Sequence, residues 1–265
     1  MKHMIIDFHV HLFKDELAPI AVEKLKTAAG VPSFSDGTQH GLLDSMLRAG
    51  VDLSVCQHIA TKPEQTQKIN QWAIEIQSDK ILSFGTIHPD FLDWEKEIDF
   101  LCEYGIKGIK FHPDYQNFCV DEMRMYPMYE KIFSKGMILL FHAGVDLAYE
   151  PPHSCMPEAL SQVVEDFPQG KIVAAHMGGY QYWDDVEKFL VGKNLYFDSS
   201  YSFDEMGKER MERIISKHSV ERILFASDSP WTPQDKEIEK INSLDLSEKS
   251  IELILGENAK QLLNI

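Results

Sequence analysis

A four-part pattern recurs along the chain: an amphipathic helix, a glycine, a short apolar run, and then a polar residue able to do chemistry. The helical stretch 42–49 leads through Gly50 to the apolar run 51–57 and His58. Residues 94–104 lead through Gly105 to the run 106–111, with Lys110 and His112 at its end. Residues 126–135, Gly136 and the run 137–141 stop at His142, and residues 157–167, Pro168, Gly170 and the run 172–175 stop at His176. Glycine just past a helix end takes the left-handed conformation without a Cβ penalty. The apolar runs are continuous rather than alternating, as in parallel strands covered on both faces.

Three more units complete the count. The run 81–86 follows helix 70–78 and ends near His88, 195–197 follows helix 184–191 and ends at Asp198-Ser199-Ser200, and 222–226 follows helix 204–217 and ends at Ser227-Asp228-Ser229. Together with a first strand that ends at His9 and His11, they make eight strands alternating with helices. Strict alternation predicts a parallel sheet. No glycine-rich phosphate fingerprint follows the first strand. The expected fold is therefore α/β, a (β/α)8 TIM barrel, with residues 1–265 forming one domain. Residues 15–30 read as an extra helix inserted ahead of the first barrel helix, on the loop side where it covers the pocket. Residues 33–38 read as a turn-rich link, and 247–263 as the last helix.

Composition narrows the partners. With 26 basic against 42 acidic residues, the formal charge of −16 repels phosphate backbones and anionic lipid surfaces, so neither nucleic acid nor membrane is expected. No apolar run approaches the roughly 20 residues a bilayer span needs, and the chain enters its first strand without a signal-peptide core, so a cytoplasmic protein is expected. Cys56, Cys102, Cys119 and Cys155 show no metal or disulfide spacing. Cys155 stands apart because it lies in a polar, proline-bearing loop. On frequency alone the chain is expected to form a homodimer.

Barrel enzymes place their chemistry at the C-terminal ends of the strands. Here those ends supply His9, His11, Lys110, His142, His176 and Asp228. His9 and His11, two apart on a strand, point the same way and can close on one ion. The set predicts a divalent metal. Zinc is the expected ion, because it accepts nitrogen and oxygen ligands and lowers the pKa of bound water to about 7.

The motifs Asp7-Phe8-His9-Val10-His11, Gly108-Ile109-Lys110-Phe111-His112-Pro113, Phe141-His142-Ala143-Gly144, Ala175-His176-Met177-Gly178-Gly179 and Phe225-Ala226-Ser227-Asp228-Ser229-Pro230-Trp231 span almost the whole chain. In them the chain resembles the amidohydrolase superfamily of metal-dependent barrel enzymes, and within it the amidohydrolase-2 group, which also contains non-oxidative decarboxylases. The resemblance implies that His9, His11, His142 and Asp228 hold the principal ion, with Asp228 also taking a proton from its bound water. It implies that His176 completes a second metal position or acts as a neighbouring acid or base. Lys110 is open: carboxylated and bridging two ions, or an ammonium that binds a substrate oxygen beside a single ion. Both one and two ions stay open.

His112, Tyr115 and Trp231 are the expected substrate-binding residues. Asp7 is expected to face the same interior as His9 and fix an imidazole by accepting its hydrogen bond. His3, His40 and His218 are expected to be exposed or capping, while His58, His88 and His153 are candidates for the cavity wall. Tyr180, Tyr182, Trp183, Tyr201 and Phe203 join Tyr115 and Trp231 in an aromatic mouth suited to a planar small molecule. Few cations lie in those loops, chiefly Lys14, Lys62 and Arg124, which disfavours a polyacid. The leading expectation is a metal-dependent hydrolase in which activated water attacks an amide, lactone or ester. The alternative is a metal-dependent decarboxylase, a carboxy-lyase of a small aromatic or unsaturated acid.

Overall fold

The computed structural model describes residues 3–265. Its strands are β1 (Ile6–Val10), β2 (Leu53–Gln57), β3 (Ile81–Thr86), β4 (Gly108–Phe111), β5 (Ile138–Phe141), β6 (Lys171–Ala174), β7 (Tyr196–Asp198) and β8 (Ile223–Leu224). They form one sheet in chain order, every neighbouring pair parallel. Backbone bonds from Phe8 N to Phe225 O (2.9 Å), Asp228 N to His9 O (2.8 Å) and His11 N to Ser229 O (2.7 Å) join the two edges. The fold is the expected TIM barrel. No helix among the described residues is long and apolar enough to cross a membrane.

The outer layer is built from α1 (Ala18–Ala29), α2 (Gln39–Ala49), α3 (Thr66–Glu75), α4 (Trp94–Glu103), the short α5 (Pro113–Gln116), α6 (Tyr126–Ser134), α7 (Pro157–Asp166), α8 (Trp183–Phe189), the short α9 (Phe203–Met206), α10 (Lys208–His218), α11 (Gln234–Asn242), α12 (Glu248–Glu252) and α13 (Asn258–Leu263). Local signals set the ends. At α2, the Thr38 hydroxyl accepts from Gly41 N, and Gly50 closes the helix by donating its N–H to Met46 O.

Inside the barrel, Ile6, Phe8, Val55, Phe84, Leu140, Val173 and Leu224 form a core of their own, joined by Leu262 and Leu263 of α13. Phe8 and Phe84 meet edge to face, centroids 5.7 Å apart, which adds about 1 kcal/mol beyond area burial. This apolar floor leaves the polar residues one place to go, the strands' C-terminal rim.

Three departures from expectation have physical causes. Between the pairs Asp7–Ser54 and Val10–Cys56, β1 spends three residues against two of β2, a bulge that reverses the facing of its end. Asp7 therefore bonds no imidazole. It accepts from Ser227 N (2.9 Å), Ser227 Oγ (2.5 Å) and Gln234 Nε2 (2.8 Å), tying β1 to β8 and α11.

The predicted last helix is interrupted by a π-helical turn, Leu253–Glu257. A Cβ on Gly256 would overlap the Met4 carbonyl oxygen, so the chain needs glycine where it passes β1. The turn offers Ile254 O to Phe225 N (2.9 Å), and β8 is correspondingly shorter than its apolar run.

His218 is buried rather than exposed. Its ring stacks on Phe197 with centroids 4.0 Å apart, Nε2–H donates to Leu195 O (2.9 Å), and Nδ1 accepts from Gly192 N (3.1 Å). It sits on the last turn of α10, the turn that packs against β7, so a helix-end position gave a misleading impression of exposure.

The inserted helix α1 lies on the loop side, as expected. The link behind it is fastened to the rim by Phe13 N to Gly37 O (2.9 Å) and Phe34 N to Pro230 O (2.7 Å), the latter two residues from Asp228.

Candidate metal centre and active site

The bulge in β1 brings His9 and His11 to the rim with their Nε2 atoms 3.2 Å apart. Oδ1 of Asp228, at the end of β8, lies 3.5 Å from His9 Nε2 and 3.2 Å from His11 Nε2. It has no hydrogen-bond partner despite being buried. Asp228 holds φ at 69°, the left-handed region, and its N–H is anchored on His9 O.

The far side of each imidazole fixes its tautomer. His9 Nδ1 donates to Asp198 Oδ2 at 2.9 Å, and His11 Nδ1 donates to the Gln57 carbonyl at 3.0 Å. Both Nε2 atoms are therefore bare lone pairs. His176 Nδ1 lies 3.0 Å from the Ser200 carbonyl, which can only accept, so the proton sits there and Nε2 is an acceptor. That acceptor lies 3.0 Å from His142 Nδ1, which must donate. His142 Nε2 is left bare, and it is a second buried atom without a partner.

Burial, before any neighbouring charge, pushes His9 and His142 well below the usual histidine range, so both are neutral as ligands must be. For Asp228, burial acts upward, but the imidazoles gathered around it, His11 foremost, prevail and hold its carboxyl down at about 2. These are the donors a divalent cation takes, and two of their atoms are orphaned without one. The residues fit a metal.

The expected ligand set divides. The donor atoms of His9, His11 and Asp228 lie within 4.8 Å of one another, while His142 groups in the same way with His112 and Asp146. Both ring nitrogens of His176 are taken up by neighbours. Lys110 is buried with its Nζ 3.5 Å from His9 Nε2, and burial brings it down to about 8 against the upward pull of Asp198 and Asp228.

His112 reaches the pocket but is engaged on both nitrogens, with Asp146 and with Tyr115 N. Tyr115 stands edge-on to His112, centroids 4.2 Å apart, and half-buried Trp231 follows the turn after Asp228. Trp183 belongs to the packing: it is buried and its indole donates to His176 O at 3.1 Å. His153 and Cys155 are buried too, and burial pushes the Cys155 thiol up, out of reach of thiolate chemistry.

Three contributors were missed in the sequence. Asp198 shares the inward face of β7 with Tyr196, two residues earlier, so its position in the alternation was the available signal. Ser200 acts through its carbonyl, which no side-chain pattern reveals, and through its hydroxyl, which lies 3.0 Å from His176 Nδ1 and donates to Asp198 Oδ1. Asp146 lies in a loop with no periodicity to mark it.

An eight-stranded parallel barrel with imidazoles and a carboxylate gathered at its C-terminal rim defines a metal-dependent barrel protein of the kind that works at its strand ends. The chain belongs to the amidohydrolase family, whose profile matches residues 6–265. No curated protein matches it in sequence. Among solved structures it is similar to 5-carboxyvanillate decarboxylase from Sphingomonas paucimobilis, at 14% identity and TM-score 0.75, covering 100% of each chain. It is similar to an uncharacterized TIM-barrel protein from Bordetella bronchiseptica at 20% identity and TM-score 0.77, covering 98% of each chain. A third likeness is 5-carboxyvanillate decarboxylase from Novosphingobium aromaticivorans with bound manganese, at 12% identity and TM-score 0.74, covering 99% of this chain and 97% of that one. The expectation of hydrolysis is corrected by these comparisons: where these full-length likenesses carry a named reaction, it is decarboxylation.

Proposed function

We propose that the protein is a metal-dependent carboxy-lyase that removes carbon dioxide from a small aromatic or unsaturated acid, with one divalent cation per chain. The carrying observation is the convergence of bare His9 and His11 lone pairs on the unpartnered Asp228 Oδ1, in a barrel similar along its whole length to decarboxylases, one of them with bound manganese. His9, His11, His142 and Asp228 would hold the ion. The engagement of both His176 nitrogens supports one ion rather than two and makes His176 a residue that orients His142. A set of three nitrogens and one oxygen suits zinc or manganese.

When bound, the cation supplies positive charge that holds a substrate oxygen and offsets negative charge developing on the ring. Lys110, the buried cation beside His9, binds a carboxylate oxygen as an uncarboxylated ammonium. Tyr115, Tyr180, Tyr201 and Trp231 receive the planar body of the substrate and exclude water. Asp228 rests as a carboxylate, takes a proton at Oδ2, leaving Oδ1 to the cation, from a substrate hydroxyl or solvent, and delivers it to the carbon that bears the carboxylate. The bond to that carboxylate then breaks, its electron pair returns to the ring, and carbon dioxide leaves. Solvent reprotonates the substrate oxygen if that was the proton's source. A single buried lysine suits a monocarboxylate better than a polyacid.

The test is an assay of the manganese- or zinc-loaded protein on hydroxybenzoate-type monoacids in oxygen-18 water. Release of carbon dioxide with no label in the organic product is expected. Label incorporated into an organic product without carbon dioxide release would overturn the reading.

A further inference from the structure

His112, His142 and Asp146 bring donor atoms within 4.8 Å of one another, which at first suggests a second cation. The hydrogen bonds argue otherwise. His112 caps α5, its Nδ1 accepting from Tyr115 N at 3.4 Å, so its proton lies on Nε2. That N–H donates to Asp146 Oδ2 at 3.0 Å. A cation on Nε2 would drive the proton to Nδ1, where it would oppose the Tyr115 N–H. The structure places a proton between His112 and Asp146.

Asp146 is itself held, because its Oδ1 accepts from Ala148 N at 2.8 Å. The His112 backbone is held as well, its N–H donating to Gln116 Oε1 at 2.9 Å. The ring fixed in this way lies flat on His142, centroids 4.0 Å apart and planes 12° apart. The bond from His142 Nδ1 to His176 sets one direction in the His142 plane, and the His112 stack sets the plane. Together they aim His142 Nε2. A carboxylate bonded to the Nε2 edge of His112 also makes that ring electron-rich, which favours stacking on an imidazole made electron-poor by a cation.

We infer that Asp146, acting through His112, is a positioning residue that holds the His142 ring in its ligating orientation. The inference rests on the proposed cation site. Asp146→Ala should weaken manganese binding by roughly tenfold or more. Asp146→Asn has one oxygen, which can still accept from His112 at the expense of the Ala148 bond, and should recover part of that loss. In the metal-free protein, ring-nitrogen NMR should show His112 protonated on Nε2 and the His142 resonances displaced in Asp146→Ala but less so in Asp146→Asn. Wild-type manganese affinity together with unmoved His142 resonances in Asp146→Ala would overturn the inference. If the wild-type protein binds neither manganese nor zinc, the cation site itself fails, and the His142 resonances still decide whether Asp146 positions that ring.

Discussion

Nδ1 of His142 lies 3.0 Å from Nε2 of His176, and only one of the two can carry the proton between them. The Ser200 carbonyl, 3.0 Å from His176 Nδ1, decides which. A backbone oxygen thus dictates that His142 presents a lone pair to the pocket, through an intervening imidazole. The loops that carry the two rings are joined beyond their strands by Tyr180 N to Ala143 O (2.9 Å) and Val145 N to Tyr180 O (3.0 Å). Gly144 permits that approach, at φ 85° and with the Tyr180 backbone where a Cβ would stand.

His176→Leu removes the acceptor and frees the His142 proton to move to Nε2, where it competes with the cation. Manganese or zinc affinity should fall by roughly tenfold or more, the usual effect of losing a partner behind a ligand. Isothermal titration of the metal-free variant measures this. An unchanged affinity would mean that Ser200 and His176 do not govern His142.

Lys110→Met separates the two roles the sequence left open. If the ammonium holds a substrate carboxylate, metal content stays at its wild-type ratio and KM rises by roughly 10- to 100-fold, the value of a buried charged hydrogen bond. Elemental analysis alongside steady-state kinetics is the measurement. Halved metal content would instead restore the carboxylated, bridging lysine.

Gly256→Ala probes the π-helical turn. The added methyl meets the Met4 carbonyl, and the strain of overpacking should cost about 1–3 kcal/mol in denaturant unfolding. Gly192→Ala is the control for backbone strain without a clash: its φ of 84° is left-handed, as that of Gly256 is not, and nothing lies within 4 Å of the new Cβ. Its cost should be about 1 kcal/mol. Equal losses at the two positions would remove the steric explanation for the turn.

The barrel was legible because continuous apolar runs, spaced by amphipathic helices and closing glycines, leave a parallel arrangement as the way to bury both faces. The rim was legible for the same reason, since a polar residue that ends such a run can go nowhere else. What the pattern could not show is one residue out of step. The bulge in β1 turns His9 to the pocket while Asp7 keeps facing α11, and it leaves the role first given to Asp7, holding an imidazole, to Asp198 on β7. Contributions from backbone carbonyls, as at Gln57 and Ser200, carry no side-chain signature at all.

His218 provides a pH test away from the metal centre. Burial pushes its pKa down to about 4, against the upward influence of the Leu195 carbonyl, whereas in the unfolded chain it titrates near the ordinary 6.5. Between those values the unfolded chain binds a proton that the folded one refuses, so the unfolded state gains as pH falls. The stability that the neutral buried ring supplies is complete above pH 6.5, declines as pH drops toward 4, and declines no further below that. The difference corresponds to on the order of 3 kcal/mol. His218→Gln does not titrate. The gap in unfolding free energy between wild type and this variant should therefore shrink by about that amount from pH 7 to pH 4, measured by urea denaturation at each pH. A gap that stayed constant with pH would show that His218 is protonated in the folded protein, which its stack on Phe197 and its bonds to Gly192 and Leu195 oppose.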